Sequence, residues 1–140
     1  MHTEFVLPIF AMFGLTAIVV LFMMRERFAE MRERRISLAK VASSTQMNAV
    51  LQNTRASDNY KNLFEQPVFF YVLCVLLATG ALPASNDLLM AAWAYVALRG
   101  VHSAIHIGYN HVRHRFFVFL VSFWVLVGLW VGAVWPLMVA

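Results

Sequence analysis

Charged residues are scarce in this sequence. Asp, Glu, Lys and Arg make up 13% of its 140 residues, whereas a soluble protein carries about 25%. Apolar residues make up 61%. This balance excludes an ordinary soluble domain and is typical of an integral membrane protein. The length suits one domain, and we predict a single domain over residues 1–140.

Cysteine is almost absent, because Cys74 is the only one. A single cysteine excludes a disulfide framework within the chain. It also excludes a metal site built on several thiolates.

Basic residues are concentrated in two places. Eight of the 11 Lys and Arg residues lie within residues 25–61, and two more, Arg113 and Arg115, follow the third apolar segment. Basic residues beside membrane spans mark the cytoplasmic side, and basic clusters there also contact anionic lipid headgroups. The net charge of +4 therefore indicates membrane lipids as partners, and we expect no nucleic-acid partner.

Four apolar segments predict four membrane-spanning helices, since about 20 apolar residues cross about 30 Å of hydrocarbon. The dense basic run after the first segment favours an uncleaved anchor over a signal peptide. We predict an all-α integral membrane four-helix bundle of the multi-pass type, with a cytoplasmic loop at residues 25–61 and both termini on the non-cytoplasmic side. In a bacterium this would be the inner (cell) membrane. The predicted spans are residues 5–24, 62–82, 88–108 and 116–135.

A polar stripe runs along the third predicted span and beyond it. Its members are spaced by three, four, four and three residues, which places them on one face of a helix. A charge near the middle of a span costs about 2.5–3.5 kcal/mol on insertion scales, so we interpret the stripe as an inward-facing site. This stripe, called the seam below, consists of Arg99, His102, His106, Asn110 and Arg113.

The second predicted span supplies polar residues that would face the seam. Arg55, Asn59, Asn62 and Gln66 share one helical face. With equal rise in two antiparallel neighbours, Glu65 lies level with His106. We expect a hydrogen-bonded cluster in the cytoplasmic half of the membrane, rimmed by Arg113 and Arg115, with these members: Asn62, Glu65, Arg99, His102 and His106.

The residues alone leave several roles open for this cluster. Cations in a cleft of low dielectric stabilise an anion or a thiolate, and neutral histidines exchange protons near pH 7. Arg99 could equally form a structural ion pair with Glu65. His102 and His106 could pack helices together or hold a metal or haem, but only Glu65 offers a further ligand. We therefore predict no metal site.

Two motifs on consecutive spans carry a family resemblance. The first is Asn62-x-x-Glu65 followed by Pro67 and Phe69. The second is Arg99-x-x-His102-x-x-x-His106 followed by Arg113 and Arg115. Together with the four-span layout, they resemble the MAPEG family, the membrane-associated proteins in eicosanoid and glutathione metabolism, in a member of bacterial type.

The resemblance implies a homotrimer of left-handed four-helix bundles that binds glutathione as a co-substrate between subunits, near the cytoplasmic face. Asn62 and Glu65 would hold the polar groups of the peptide, and Arg99 and His102 would line the same pocket. Arg113 or Arg115 would stabilise the thiolate as the catalytic arginine. The full substrate-binding set carried over is Arg55, Asn59, Asn62, Glu65, Arg99, His102 and His106.

The function implied is that of a membrane-bound glutathione transferase or peroxidase-like protein. It would conjugate or reduce lipophilic electrophiles that arrive from the bilayer. The alternative is a non-catalytic lipid-binding or accessory membrane protein of the same fold, since a fold hosts several functions. Whether the protein is an enzyme stays open at this point.

Overall fold

The computed structural model describes residues 1–139, apart from the side chain of Asn48. These residues are helical and contain no strand. Short 3-10 helices lie at Thr3–Phe5 and Leu38–Val41. The α-helices are α1 (Val6–Glu33), α2 (Ser44–Val50), α3 (Arg55–Asn62), α4 (Gln66–Thr79), α5 (Asn86–Ile107) and α6 (Val112–Val139).

Four helical units are long and apolar enough to cross a membrane, which confirms the predicted all-α membrane fold. They are Thr3–Glu33, Arg55–Thr79, Asn86–Ile107 and Val112–Val139. Large apolar side chains such as Phe13, Phe117 and Trp124 are exposed on the outside of the bundle, as expected of surfaces in contact with lipid.

One end of the bundle, called the turn end below, gathers the N-terminus, the loop at residues 80–85 and the end of α6. The backbone N–H of His2 donates to the carbonyl of Ala78 over 2.9 Å. Gly80 ends α4 with a φ of 81°, a left-handed conformation that favours glycine. A Cβ on Gly132 of α6 would lie 3.2 Å from Leu88 at the start of α5. The opposite end, called the basic end, carries residues 34–54 and the loop between α5 and α6.

The second predicted span is broken, because α3 ends at Asn62 and α4 begins at Gln66. Pro67 lies in the first turn of α4, where its missing N–H is tolerated. Glu65 lies outside both helices with φ −95° and ψ −90°. The prediction of one continuous polar face from Arg55 to Gln66 is therefore wrong, and so is the helical register that it assigned to Glu65.

The seam is also shorter than predicted, because α5 ends at Ile107. Gly108 follows with ψ −110°, and a Cβ there would lie 2.8 Å from the carbonyl oxygen of Ala104. Only glycine allows the chain to turn away so closely. Asn110 then adopts a positive φ of 50°, and Arg113 belongs to α6, so neither residue continues the helical stripe of α5.

The interior of the bundle is apolar toward the turn end and polar toward the basic end. Phe70 of α4 stacks on Tyr95 of α5 with ring centroids 4.6 Å apart. The buried apolar side chains are contributed by all four long helical units and include Met12, Val19, Leu73, Leu77, Ala92, Leu126 and Leu129.

Glu30 ties the extension of α1 at the basic end to the segment before α3. Its carboxylate accepts hydrogen bonds from the backbone N–H groups of Gln52 (2.7 Å) and Asn53 (3.0 Å). It also pairs with Arg34 over 2.7 Å, and Arg34 donates to the carbonyl of Val50 over 2.7 Å. We call these contacts the Glu30 clamp. Glu26, one turn earlier on α1, makes a further contact with α3. Its carboxylate accepts a hydrogen bond from the N–H of Ala56 over 3.3 Å.

Removing the clamp should loosen the start of α3. We expect Glu30→Ala to lower the free energy of unfolding by about 1–3 kcal/mol, because two backbone donors and an arginine lose their acceptor. Thermal unfolding in detergent measures this loss, and limited trypsinolysis at Arg35, Lys40 and Arg55 should become faster. Glu33→Ala is the matched control, since Glu33 lies on the same helix and its side chain makes no hydrogen bond within residues 1–139. Equal stability of the two variants would contradict the prediction.

Candidate functional site

A cluster of polar side chains is buried between α5 and its neighbours toward the basic end. From α5 it contains the three inner seam residues and Ser103, and from α3 it contains Asn59. All of them are buried, and we call them the buried cluster: Asn59, Arg99, His102, Ser103 and His106. Helical spacing brings the α5 members to one face, while the short α3 carries Asn59 against that face through a hydrogen bond between Ser103 Oγ and Asn59 Oδ1 of 3.3 Å.

Arg99 is fully buried and incompletely paired. Its Nη2 donates to the backbone carbonyl of Asn62 over 3.1 Å, and its guanidinium carbon lies 5.8 Å from the ring centroid of Phe119. Within the described residues, Nε and Nη1 have no hydrogen-bond partner. A buried cation with unpaired donors is energetically costly. This site is therefore suited to receive an anion.

Glu65 does not take part in the hydrogen-bonded cluster that the sequence analysis predicted. It is exposed, and among residues 1–139 no ion pair joins it to Arg99. The break before α4 takes it out of the register that equal helical rise assigned to it. It lies instead at one end of an apolar cavity of about 610 Å³ between α4 and α6, whose lining includes Phe69, Phe123 and Trp130.

The two histidines form hydrogen bonds to backbone carbonyls of other helices. His102 Nδ1 lies 3.2 Å from the carbonyl oxygen of Arg115, and His106 Nδ1 lies 3.0 Å from that of Arg55. A carbonyl oxygen only accepts, so each Nδ1 carries the proton and each neutral ring keeps a lone pair on Nε2. The rings are nearly parallel, with centroids 5.7 Å apart. Nε2 of His102 is buried without a partner among the described residues.

Other buried polar atoms near the cluster also lack partners within residues 1–139. They are Nδ2 of Asn59, Nε2 of Gln66 and the hydroxyl of Tyr95. Gln66 accepts a hydrogen bond from Ser122 Oγ of α6 over 3.4 Å. Buried polar groups are normally paired, so this concentration of unpaired atoms makes the region the candidate binding site.

Sequence reasoning missed Tyr95, Ser103 and Ser122. Tyr95 had a detectable signal, because it lies one turn before Arg99 on the same face of α5. The two serines had none, since a small hydroxyl inside an apolar span is also common in plain helix packing.

The two rim arginines, Arg113 and Arg115, lie in different surroundings. Arg115 is half-buried, its Nη1 donates to Asn110 Oδ1 over 2.8 Å, and its carbonyl accepts from His102. Arg113 is exposed, and its side chain makes no hydrogen bond within the described residues. Arg55 is exposed as well, but its Nη1 donates to the carbonyl of Gly108 over 3.0 Å. Of the predicted residues, Glu65 and Arg113 thus lie apart from the buried cluster, while Arg55 and Arg115 border it.

A metal site gains no support from these contacts. Among residues 1–139, no group of three or more His, Cys, Asp or Glu side chains is arranged to hold a metal ion. His102 and His106 each use Nδ1 on a carbonyl, and Glu65 stands apart. The bis-histidine alternative therefore lacks a third ligand from this chain.

Comparison with known proteins gives one match. A family model described as the MAPEG family matches residues 5–135, which include most of each of the four helical units and every residue of the site. No curated protein and no solved structure matches the chain significantly. The apolar helices make the protein an integral, multi-pass membrane protein, and the chain belongs to the MAPEG family.

Proposed function

We propose that this protein is a membrane-bound glutathione transferase or peroxidase-like enzyme that acts on lipophilic electrophiles. The observation that carries the proposal is the buried guanidinium of Arg99, with two of its nitrogens unpaired in the described chain. Such a group favours a bound anion, and membership in a family of glutathione and eicosanoid metabolism makes glutathione the first candidate.

The unpaired atoms suit the chemistry of glutathione, which carries carboxylates, amides, an ammonium group and a thiol. Arg99 would donate to a carboxylate or to the thiolate, and Asn59 Nδ2 would donate to a peptide carbonyl. His102 Nε2 is an acceptor for an N–H or S–H group. This donor and acceptor set, together with the predicted substrate-binding residues Asn62 and His106, supports a polar peptide ligand.

Arg115 is the better candidate for the arginine that stabilises the thiolate. It borders the buried cluster and is held there by Asn110, whereas Arg113 is exposed. A cation beside a thiol favours its ionised form. When the thiol ionises, its proton leaves the sulfur for a base such as His102 Nε2 or for water. The sulfur then bonds to the electrophilic atom. In a substitution the leaving group departs with the electron pair, and in an addition to an α,β-unsaturated carbonyl compound the resulting enolate takes up a proton.

The apolar cavity between α4 and α6 would hold the lipophilic reactant. It opens toward the lipid-facing surface, is lined by Phe69, Phe123 and Trp130, and carries the carboxylate of Glu65 at one end. Because Glu65 and Arg55 both face outward on the single chain, a neighbouring subunit would complete the site. We therefore include the homotrimer and the intersubunit position of the ligand, on the cytoplasmic side, in the proposal.

The alternative function is a non-catalytic lipid-binding or accessory protein. It is favoured by one specific observation: both histidines bond the backbones of other helices, as packing residues do. In that case the buried cluster would serve stability, and Arg99 would be needed to hold the helices together.

Replacing the rim arginines tests the enzyme proposal. We expect Arg115→Ala to weaken glutathione binding about 10- to 100-fold, because a charge-assisted hydrogen bond contributes about 1.5–3 kcal/mol. Arg113→Ala should change the affinity less than threefold. Calorimetry on the detergent-purified protein measures both, with transferase activity toward an α,β-unsaturated carbonyl compound beside it. A folded wild-type protein that binds neither glutathione nor an S-alkyl conjugate would overturn the proposal.

Replacing Arg99 with an apolar side chain of similar length separates the two functions. If Arg99 serves a ligand, Arg99→Met should leave the unfolding temperature unchanged or raise it, because an incompletely paired buried charge is removed. Glutathione binding should be lost at the same time. Leu98→Met, at the neighbouring position of α5 and outside the buried cluster, is the control and should change neither quantity. A loss of stability of about 3–5 kcal/mol in Arg99→Met would favour the structural role.

A further inference from the structure

A second candidate site lies on the side of α5 that faces α1, next to the buried cluster, with which it shares Ser103. An apolar groove of about 360 Å³ runs between α1 and α5. At the basic end it meets a polar chamber of about 710 Å³ between α1, residues 52–53 and the end of α5. The groove and the chamber share Phe22, Ile107 and Gly108 in their linings, so an apolar space and a polar space adjoin at these residues.

Small residues open the groove on the α5 side. Gly100, Ala104 and Gly108 follow one another at every fourth position and all line it, which places them in a row along one face of the helix. A Cβ on Gly100 would meet no atom within 4 Å. Across the groove, α1 contributes branched side chains such as Leu15 and Ile18. The dimensions and the apolar lining suit a hydrocarbon chain.

The chamber carries charges of both signs in a definite order along α1. Phe22 marks its apolar floor, and Arg25, three carboxylates and Arg34 follow in that order toward the basic end, the last carboxylate being Glu33. Arg34 is already paired with Glu30 in the Glu30 clamp. At 1.5 Å per residue, Arg25 and Glu33 are about 12 Å apart along the helix axis. A ligand that fits this order has an apolar tail, then an anionic group, then a cationic group at its outer end.

Two members of this order, Arg25 near the membrane and Glu33 further out, are available to a ligand. Glu30 is occupied by the contacts of the Glu30 clamp, and Glu26 accepts from the N–H of Ala56. The side chains of Arg25 and Glu33 make no hydrogen bond or ion pair within residues 1–139. One free cation near the membrane and one free carboxylate further out remain for pairing.

We propose that this space binds a phospholipid with an ethanolamine-type zwitterionic headgroup from the leaflet at the basic end. One acyl chain lies in the groove, the phosphate pairs with Arg25, and the primary ammonium donates to Glu33. Because the three carboxylates that line the chamber outnumber its two arginines, a purely anionic lipid fits less well. A choline headgroup fits less well because it has no N–H to donate. This site is independent of the proposed use of glutathione.

Filling the groove tests the acyl-chain part of the proposal. In Gly100→Leu, the new side chain enters the groove without meeting an atom near its Cβ. We expect the affinity for phosphatidylethanolamine to fall on the order of tenfold, since several methylenes lose their contacts. Native mass spectrometry of delipidated protein titrated with the lipid measures this. Gly128→Leu is the matched control, because Gly128 is exposed on α6, has equal space, and lines neither cavity.

Changing the charges tests the headgroup part and remains informative if Gly100→Leu fails to fold. The wild type should prefer phosphatidylethanolamine over phosphatidylcholine and phosphatidylglycerol with the same acyl chains. Arg25→Gln should weaken all three, whereas Glu33→Gln should abolish only the preference over phosphatidylcholine. Arg32→Gln, an exposed residue of α1 outside the chamber, should behave as wild type. Equal binding of the three lipids, a preference for phosphatidylglycerol, or displacement of the lipid by glutathione would overturn the proposal.

Discussion

The burial of the Arg99 guanidinium is the constraint on which the arrangement of the polar half depends. Its protein partner is the carbonyl of Asn62, the last residue of α3. The final carbonyls of a helix have no partner within that helix, so the end of α3 supplies an acceptor at the place where a buried cation needs one. The break before α4 therefore has two effects. It turns Glu65 outward, and it leaves a backbone oxygen for Arg99.

The histidines also depend on backbone carbonyls, here at the beginnings of α3 and α6. His102 and His106 each bond a carbonyl on another helix, which fixes the direction of both rings and leaves Nε2 of each without a proton. Side chains that lock helix positions therefore also present the lone pairs that a ligand would use. A structural role and the proposed functional role would therefore depend on the same residues, so stability and binding have to be measured on the same variants.

The sequence allowed the four apolar segments and the inner seam to be predicted, because both depend on repeated spacing. Arg99, His102 and His106 lie on one face of α5 since helical periodicity is strict within an unbroken helix. Periodicity carries no information across a break. The positions of Glu65, Asn110 and Arg113 depend on single backbone conformations, at residues 63–65 and at Gly108. Tertiary contacts, such as that of Arg115 with Asn110, distinguish two arginines that look equivalent in sequence.

The Glu30 clamp also has a mechanical consequence. α1 is one continuous helix of 28 residues, about 42 Å long at 1.5 Å per residue, so its charged part after Met24 projects beyond the roughly 30 Å of hydrocarbon that its apolar part spans. A helix of this kind responds to bilayer thickness by tilting. Because its outer end is fastened to residues 52–53, a change in tilt displaces the start of α3, which bonds His106 through Arg55. Through α1, a change in the thickness of the surrounding bilayer would therefore shift the backbone carbonyl that positions His106.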